Sequence, residues 1–135
     1  IGDLNSIPIK LKKIINTIES KTKNNNRITV CFAFNYGSRK ELIHSVNKSL
    51  KSLKNKNKLT EEIITQNLYT ANIPDPDILI RTGGYHRLSN FLLWQLSYSE
   101  IFFLKKKWPD FNYLDLQRII NQFSKIKRNF GSIDE

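Results

Sequence analysis

Apolar and polar positions along the chain repeat with two periods, and the period at each point predicts an element. Leu11, Ile14, Ile15 and Ile18 recur at intervals of three, four and seven, the spacing of one helical face, and Pro8 suits the first turn of a helix running to about Lys21. After the polar stretch Lys23–Asn26, the residues Ile28, Val30, Phe32 and Phe34 alternate with Thr29, Cys31 and Ala33. Neither set is strongly polar, which predicts a central strand covered on both sides. Asn35-Tyr36-Gly37-Ser38 closes that strand and opens a second helix, with Leu42, Val46, Leu50 and Leu53 along one stripe and a linker at Lys54–Lys58. Thr60 then precedes Glu61 and Glu62, a cap residue and two acids placed where the helix dipole favours negative charge, with Ile63, Ile64 and Leu68 on the buried side.

The second half opens on Pro74-Asp75-Pro76, a rigid turn, and a short apolar strand Asp77–Arg81. Asn90–Ser97 is apolar on most sides, which predicts a buried helix. Ile101–Leu104 reads as a further strand, and Glu100 just before it is expected near the edge from which Arg81 emerges. Lys105–Lys107 is a solvated run and Trp108–Phe111 a turn. A last helix is capped by Asn112 and Asp115, buries Tyr113, Leu116, Ile120 and Phe123, and ends near Arg128–Gly131. The implied fold class is α/β, a mostly parallel sheet flanked by helices, in a single domain over residues 1–135.

Composition narrows the partners. The net charge is +10, yet sixteen of the 22 basic residues are lysines spread over helix faces and Asn-rich stretches, which argues against a nucleic-acid footprint and for an anionic substrate or an anionic membrane surface. No apolar run is long enough to span a membrane and no signal peptide opens the chain, so a protein that is cytoplasmic or peripheral to the membrane is expected. The lone Cys31 sits in an apolar run and is expected to be a packed thiol. The chain lacks methionine and begins at Ile1, which points to a piece of a longer protein.

Chemistry concentrates after the strand at Asp77–Arg81. Arg81, Thr82, Gly83, Gly84, His86, Arg87, Ser89 and Asn90 fall within ten residues. In α/β sheets, ligands bind beyond the carboxyl ends of strands, and glycines let backbone N–H groups approach an anion. Two guanidinium forks and a hydroxyl around a Gly-Gly turn can hold several phosphoryl oxygens, where a carboxylate would need only one fork; the pattern reads as a diphosphate seat. Either arginine alone reads first as a solvated loop residue, and it is the combination with Gly83-Gly84, Ser89 and Asn90 that turns the reading to a diphosphate seat. Asn35 and Arg39 stand at the carboxyl end of the other expected strand, with a substrate role and a helix cap plus surface arginine as equal alternatives. From spacing alone, Glu100 is weak evidence for a metal.

The run I-R-T-G-G-x-x-R-L-S-N-F-L-L-W-Q-x-x-Y-x-E at Ile80–Glu100, followed by W-P-D-F, resembles the C-terminal signature of the cis-prenyltransferases, the undecaprenyl diphosphate synthase family. F-N-Y-G-S-R-K-E-L at Phe34–Leu42 is similar to that family's N-Y-G-G-R-x-E element. The resemblance implies that Arg81, Arg87 and Ser89 bind isopentenyl diphosphate, that Glu100 helps hold Mg²⁺, and that Ile28–Phe34 lines a tunnel for the growing prenyl chain. It implies a homodimer, an allylic diphosphate as second substrate, and an upstream Asp-Gly-Asn-Gly-Arg-Trp-like segment carrying the other Mg²⁺ ligand, to which nothing here corresponds. Departures are Ser38 for a frequent glycine, Tyr85 where the family commonly has Glu, and Asn129 for an arginine in the C-terminal element.

Two functions follow. One is the isopentenyl diphosphate half of an enzyme that condenses this unit with an allylic diphosphate into a long-chain, undecaprenyl-like polyprenyl diphosphate, the isolated chain being inactive. The other is a non-catalytic accessory subunit or split-gene relic that binds isopentenyl diphosphate or a partner chain.

Overall fold

The computed structural model describes residues 1–53 and 58–129, so Lys54–Asn57 of the expected linker and Phe130-Gly131 at the expected C-terminal end lie outside the described residues. The architecture is α/β, and it falls into two compact units, Ile1–Ile73 and Pro74–Glu135.

The first unit carries α1 (Ile9–Thr22), α2 (Ser38–Ser52) and α3 (Glu61–Thr65). Helix α1 forms where the apolar period predicts it, yet none of its residues is buried. The expected strand at Ile28–Phe34 is a correction. Its backbone has no ladder apart from one parallel-sense rung, in which the Ile1 amino group donates to the Phe32 carbonyl at 2.7 Å and Phe34 N–H donates to the Ile1 carbonyl at 2.9 Å. Alternation favours a strand but cannot supply its partner, and among the described residues no further rung forms. Ile28, Val30 and Phe32 therefore stay exposed, and Cys31, expected to be packed, is exposed with them. Gly2 is required beside this rung, since a Cβ there would lie 2.0 Å from the Phe34 carbonyl oxygen.

Helix α2 also corrects the sequence reading. Its fully buried positions are Ser38, Glu41, Ser45 and Ser49, a polar row at intervals of three and four, while Leu50 is exposed and Leu42 and Val46 are only half-buried. The reason lies in α3, five residues long and capped by Thr60, whose Ile63 and Ile64 carbonyls are turned to α2. Ser45 Oγ donates to the Ile64 carbonyl at 2.6 Å and Ser49 Oγ to that of Ile63 at 3.2 Å, so two short hydroxyl side chains let α3 approach closely and satisfy its end. Glu41 accepts from Tyr36 Oη at 2.5 Å and from Tyr69 N–H at 2.9 Å, which compensates its burial. Burial pushes the Tyr69 phenol above its usual range.

The second unit is built on β1 (Ile78–Arg81) and β2 (Glu100–Phe103), paired in parallel with Ile78 opposite Glu100 and Arg81 opposite Phe103. Between them, Asn90–Ser97 forms a series of turns in place of the expected helix. Ser89, Asn90 and Leu92 have φ of 51°, 61° and 44°, and left-handed backbone at three of four positions prevents a helix from nucleating. Helix α4 (Tyr113–Phe123) follows, with the full capping box of Asn112 and Asp115. Its buried residue is Ile119, whereas Tyr113, Leu116 and Ile120 are exposed, so the expected buried face is displaced around the helix.

Candidate functional site

The parallel register fixes what each end of the strand pair presents. Arg81 ends β1, and beyond it the chain folds onto the segment after β2: Leu104 N–H donates to the Arg81 carbonyl, Gly84 N–H to that of Leu104 and Gly83 N–H to that of Lys106, each at 2.8 Å. Gly83 and Gly84 take φ of 89° and 78°, values open to glycine, and so make this return possible. The expectation that their N–H groups face an anion is therefore corrected, because both are spent on backbone carbonyls.

What the carboxyl end offers an anion is side chains. Arg81 is half-buried, and its Nε, which is buried, has no hydrogen-bond partner among the described residues. A buried guanidinium N–H left unpaired is costly, and an anionic oxygen would satisfy it. Arg87 is exposed, its guanidinium carbon 4.2 Å from the centroid of the Tyr85 ring. His86 stacks on Phe103 at 4.7 Å, joining the loop to the last residue of β2. Ser89 is exposed on left-handed backbone. The sequence carried no periodic signal for the Tyr85–Arg87 and His86–Phe103 contacts, because both belong to an irregular loop.

Lys106 ties this end to α4. Its carbonyl receives Gly83 N–H, and its ammonium binds Asp115 at 2.7 and 2.9 Å. That ammonium, with the Asn112 N–H, holds the Asp115 carboxyl below its ordinary value.

Glu100 is not at this end. Opposite Ile78, it begins β2 at the amino end of the pair, three residues and about 10 Å of strand from the level of Arg81. The expectation that both emerge from one edge fails, since a parallel register is set by non-local pairing that spacing does not reveal. Glu100 instead lines an open groove of about 280 Å³ with Ser97, Tyr98, Lys127, Arg128 and Asn129. Arg128 is engaged there, with Nη1 2.5 Å from Asp77 Oδ1 and Nη2 donating to the Tyr98 carbonyl at 3.0 Å. Among the described residues no three His, Cys, Asp or Glu side chains form a group able to hold a metal. Mg²⁺ takes one or two carboxylates with phosphate oxygens and waters, so Glu100 by itself does not complete a Mg²⁺ site.

Asn35 and Arg39 belong to the first unit, both exposed at the entry to α2. Asn35 has φ of 47° and donates from Nδ2 to the Asp3 carbonyl at 3.3 Å. Asp3 in turn accepts from Lys40 Nζ at 2.6 Å and from Ser6 Oγ at 2.9 Å, and Lys40 above all holds its carboxyl below the usual range. Asn35 is thus fixed by the N-terminal turn, with one amide donor already used.

Over residues 1–131 the chain matches the prenyltransferase family model described as "Putative undecaprenyl diphosphate synthase". An isoprenyl transferase of Rickettsia sibirica is 48% identical over 131 residues, which are 97% of this chain and 57% of that protein. One from Thermotoga maritima is 47% identical over 135 residues, covering 98% and 58%. Among solved structures, a probable undecaprenyl diphosphate synthase from Campylobacter jejuni aligns with a TM-score of 0.88 at 39% identity, covering 98% of this chain and 61% of that one. Lavandulyl diphosphate synthase from Lavandula x intermedia, in complex with dimethylallyl diphosphate, gives 0.89 at 32% identity, covering 98% and 58%. The chain thus spans somewhat more than half the length of these relatives. With a family match running through residues 1–131 and relatives at nearly half identity, the chain belongs to the undecaprenyl diphosphate synthase family of prenyltransferases.

Proposed function

We propose that this chain supplies the isopentenyl diphosphate seat of a cis-prenyltransferase, which condenses that unit with an allylic diphosphate into a long-chain, undecaprenyl-like polyprenyl diphosphate. The observation that carries the reading is the unpartnered, buried Nε of Arg81 at the carboxyl end of β1, in a loop that also bears the exposed Arg87 and Ser89. Arg81 and Arg87 bind the diphosphate of the incoming unit and Ser89 donates to it. Their work is positioning and charge neutralisation, which convert the encounter with the second substrate into an oriented one. Asn35 and Arg39 act toward the substrate diphosphates from the entry to α2. The exposed apolar row Ile28, Val30, Phe32 and Phe34 supports a role along the prenyl chain.

Mg²⁺, when bound, offsets the charge of the diphosphates; Glu100 is the residue proposed to hold it, with the remaining ligands from outside the described residues. A homodimer and a transient contact with the membrane surface through the lipid product belong to the same proposal. No helix among the described residues is long and apolar enough to cross a membrane.

A second reading is a non-catalytic accessory subunit or split-gene relic that only binds isopentenyl diphosphate or a partner chain. Incorporation of labelled isopentenyl diphosphate into long-chain product would exclude it. The seat itself is tested by calorimetry with isopentenyl diphosphate. Arg87→Ala is expected to weaken binding by about 1.5–3 kcal/mol, the contribution of a charge-assisted hydrogen bond. Unchanged affinity in a folded variant would overturn the assignment.

A further inference from the structure

The Arg87 side chain is long and exposed, and an arginine of that kind loses rotamer freedom on binding an anion. It does not stand alone here: its guanidinium carbon lies 4.2 Å from the centroid of the Tyr85 ring. An aromatic face attracts a guanidinium through the ring quadrupole, and it does so from above the guanidinium plane. A guanidinium stacked on a ring by its face keeps its in-plane N–H groups free to meet a diphosphate oxygen pair edge-on. Tyr85 is 52% exposed, so its ring is not committed to a core. The loop is anchored just before this pair, by Gly83 and Gly84 bonding to the backbone after β2, and between its two members, by His86 stacking on Phe103. Tyr85 and Arg87 thus share a short, tethered segment.

From this geometry we propose that Tyr85 is a positioning residue of the anion seat: its ring holds the Arg87 guanidinium by one face and presents the N–H fork to a diphosphate. The inference rests on the isopentenyl diphosphate reading, in which Arg87 binds the anion. It assigns to Tyr85 no contact with the substrate. A carboxylate at position 85 would act in the opposite sense, occupying the fork that the ring leaves open.

The test is calorimetric titration of the full chain with inorganic pyrophosphate, using Tyr85→Phe, Tyr85→Leu, Arg87→Ala and the double variant Tyr85→Leu/Arg87→Ala. Tyr85→Phe keeps the ring and is expected to bind within about twofold of wild type. Tyr85→Leu removes it and is expected to bind about two- to fivefold more weakly, the worth of an exposed cation–π contact. In the Arg87→Ala background the Leu substitution is expected to cost nothing further, because its only route to the anion has gone. A Tyr85→Leu chain that binds like wild type while Arg87→Ala is weakened overturns the inference and leaves the seat standing. An equal loss in Tyr85→Phe, or a loss that persists in the Arg87→Ala background, also overturns it, by pointing to the hydroxyl or to a general structural effect. Should Arg87→Ala itself bind like wild type, the reading of the seat fails and the inference falls with it.

Discussion

The two ends of the parallel strand pair both carry arginines, and they use them differently. At the amino end Arg128 is committed: Asp77 and the Tyr98 carbonyl take its guanidinium, and its guanidinium carbon lies 5.4 Å from the centroid of the Phe123 ring. At the carboxyl end Arg81 has a buried Nε with no partner among the described residues, and Arg87 meets only a ring face among its described contacts. Both ends carry an arginine, so the presence of a guanidinium does not separate them. What separates them is whether the donors already have acceptors, and a buried donor without one is where an anion gains most.

Replacing Arg81 tests that contrast most strongly. Arg81→Met keeps the apolar stem and removes the fork, and pyrophosphate affinity measured by calorimetry is expected to fall by about 1.5–3 kcal/mol. Glu100→Gln, at the other end, is expected to leave metal-free pyrophosphate affinity unchanged. If the two variants lose affinity equally, the ends are not functionally distinct and the register argument does not bear on binding.

The turn that shapes the carboxyl end comes next in size. Gly83 has φ of 89°, and a Cβ there would meet nothing nearer than Tyr85 Cδ2 at 4.0 Å. The space is open, so Gly83→Ala isolates the backbone cost of left-handed geometry, about 1–2 kcal/mol by urea denaturation. A loss under a few tenths of a kcal/mol would mean that the turn relaxes and the bond to the Lys106 carbonyl is dispensable.

A smaller effect is expected in acid. The Lys106 ammonium and the Asn112 N–H depress the Asp115 carboxyl below its ordinary value of 3.8. A carboxyl depressed in the folded state contributes stability that is present above its unfolded value and lost as pH falls through the folded one. Thermal melts followed by circular dichroism should therefore show a step below about pH 4 that Asp115→Asn reduces. Asp3, held down in the same way by Lys40, gives the first unit its own step in that range, so the variant is expected to diminish the step without abolishing it.

These contrasts explain how far the sequence could be read. Helices α1, α2 and α4 and the strand pair were legible because each rests on local signals, such as the apolar period of α1 and the Asn112/Asp115 cap of α4. The loop bearing Arg81, Arg87 and Ser89 was legible because its residues are contiguous. The position of Glu100 was not, because it depends on which residue of β1 faces which of β2. Nor was the buried serine row of α2, since its cause is the short helix α3 many residues away. Asn90–Ser97 failed for a different reason: apolar content suggested a helix, and backbone geometry at Ser89, Asn90 and Leu92 decided otherwise.

The smallest expected effect lies at the amino end. The ion pair of Arg128 with Asp77 joins an arginine side chain 18% exposed to a carboxylate 66% exposed, so water and salt screen it from one side. Such pairs contribute about 0–1 kcal/mol, and Arg128→Met keeps an apolar stem while removing the guanidinium, whose carbon also lies over Phe123. A stability loss within that range is expected by urea denaturation, diminishing at high salt, with pyrophosphate affinity unchanged, because the guanidinium here already has its acceptors. A loss of affinity comparable with that of Arg81→Met would place an anion at the amino end as well. The contrast between a committed and an uncommitted arginine would then be the wrong way to find the seat.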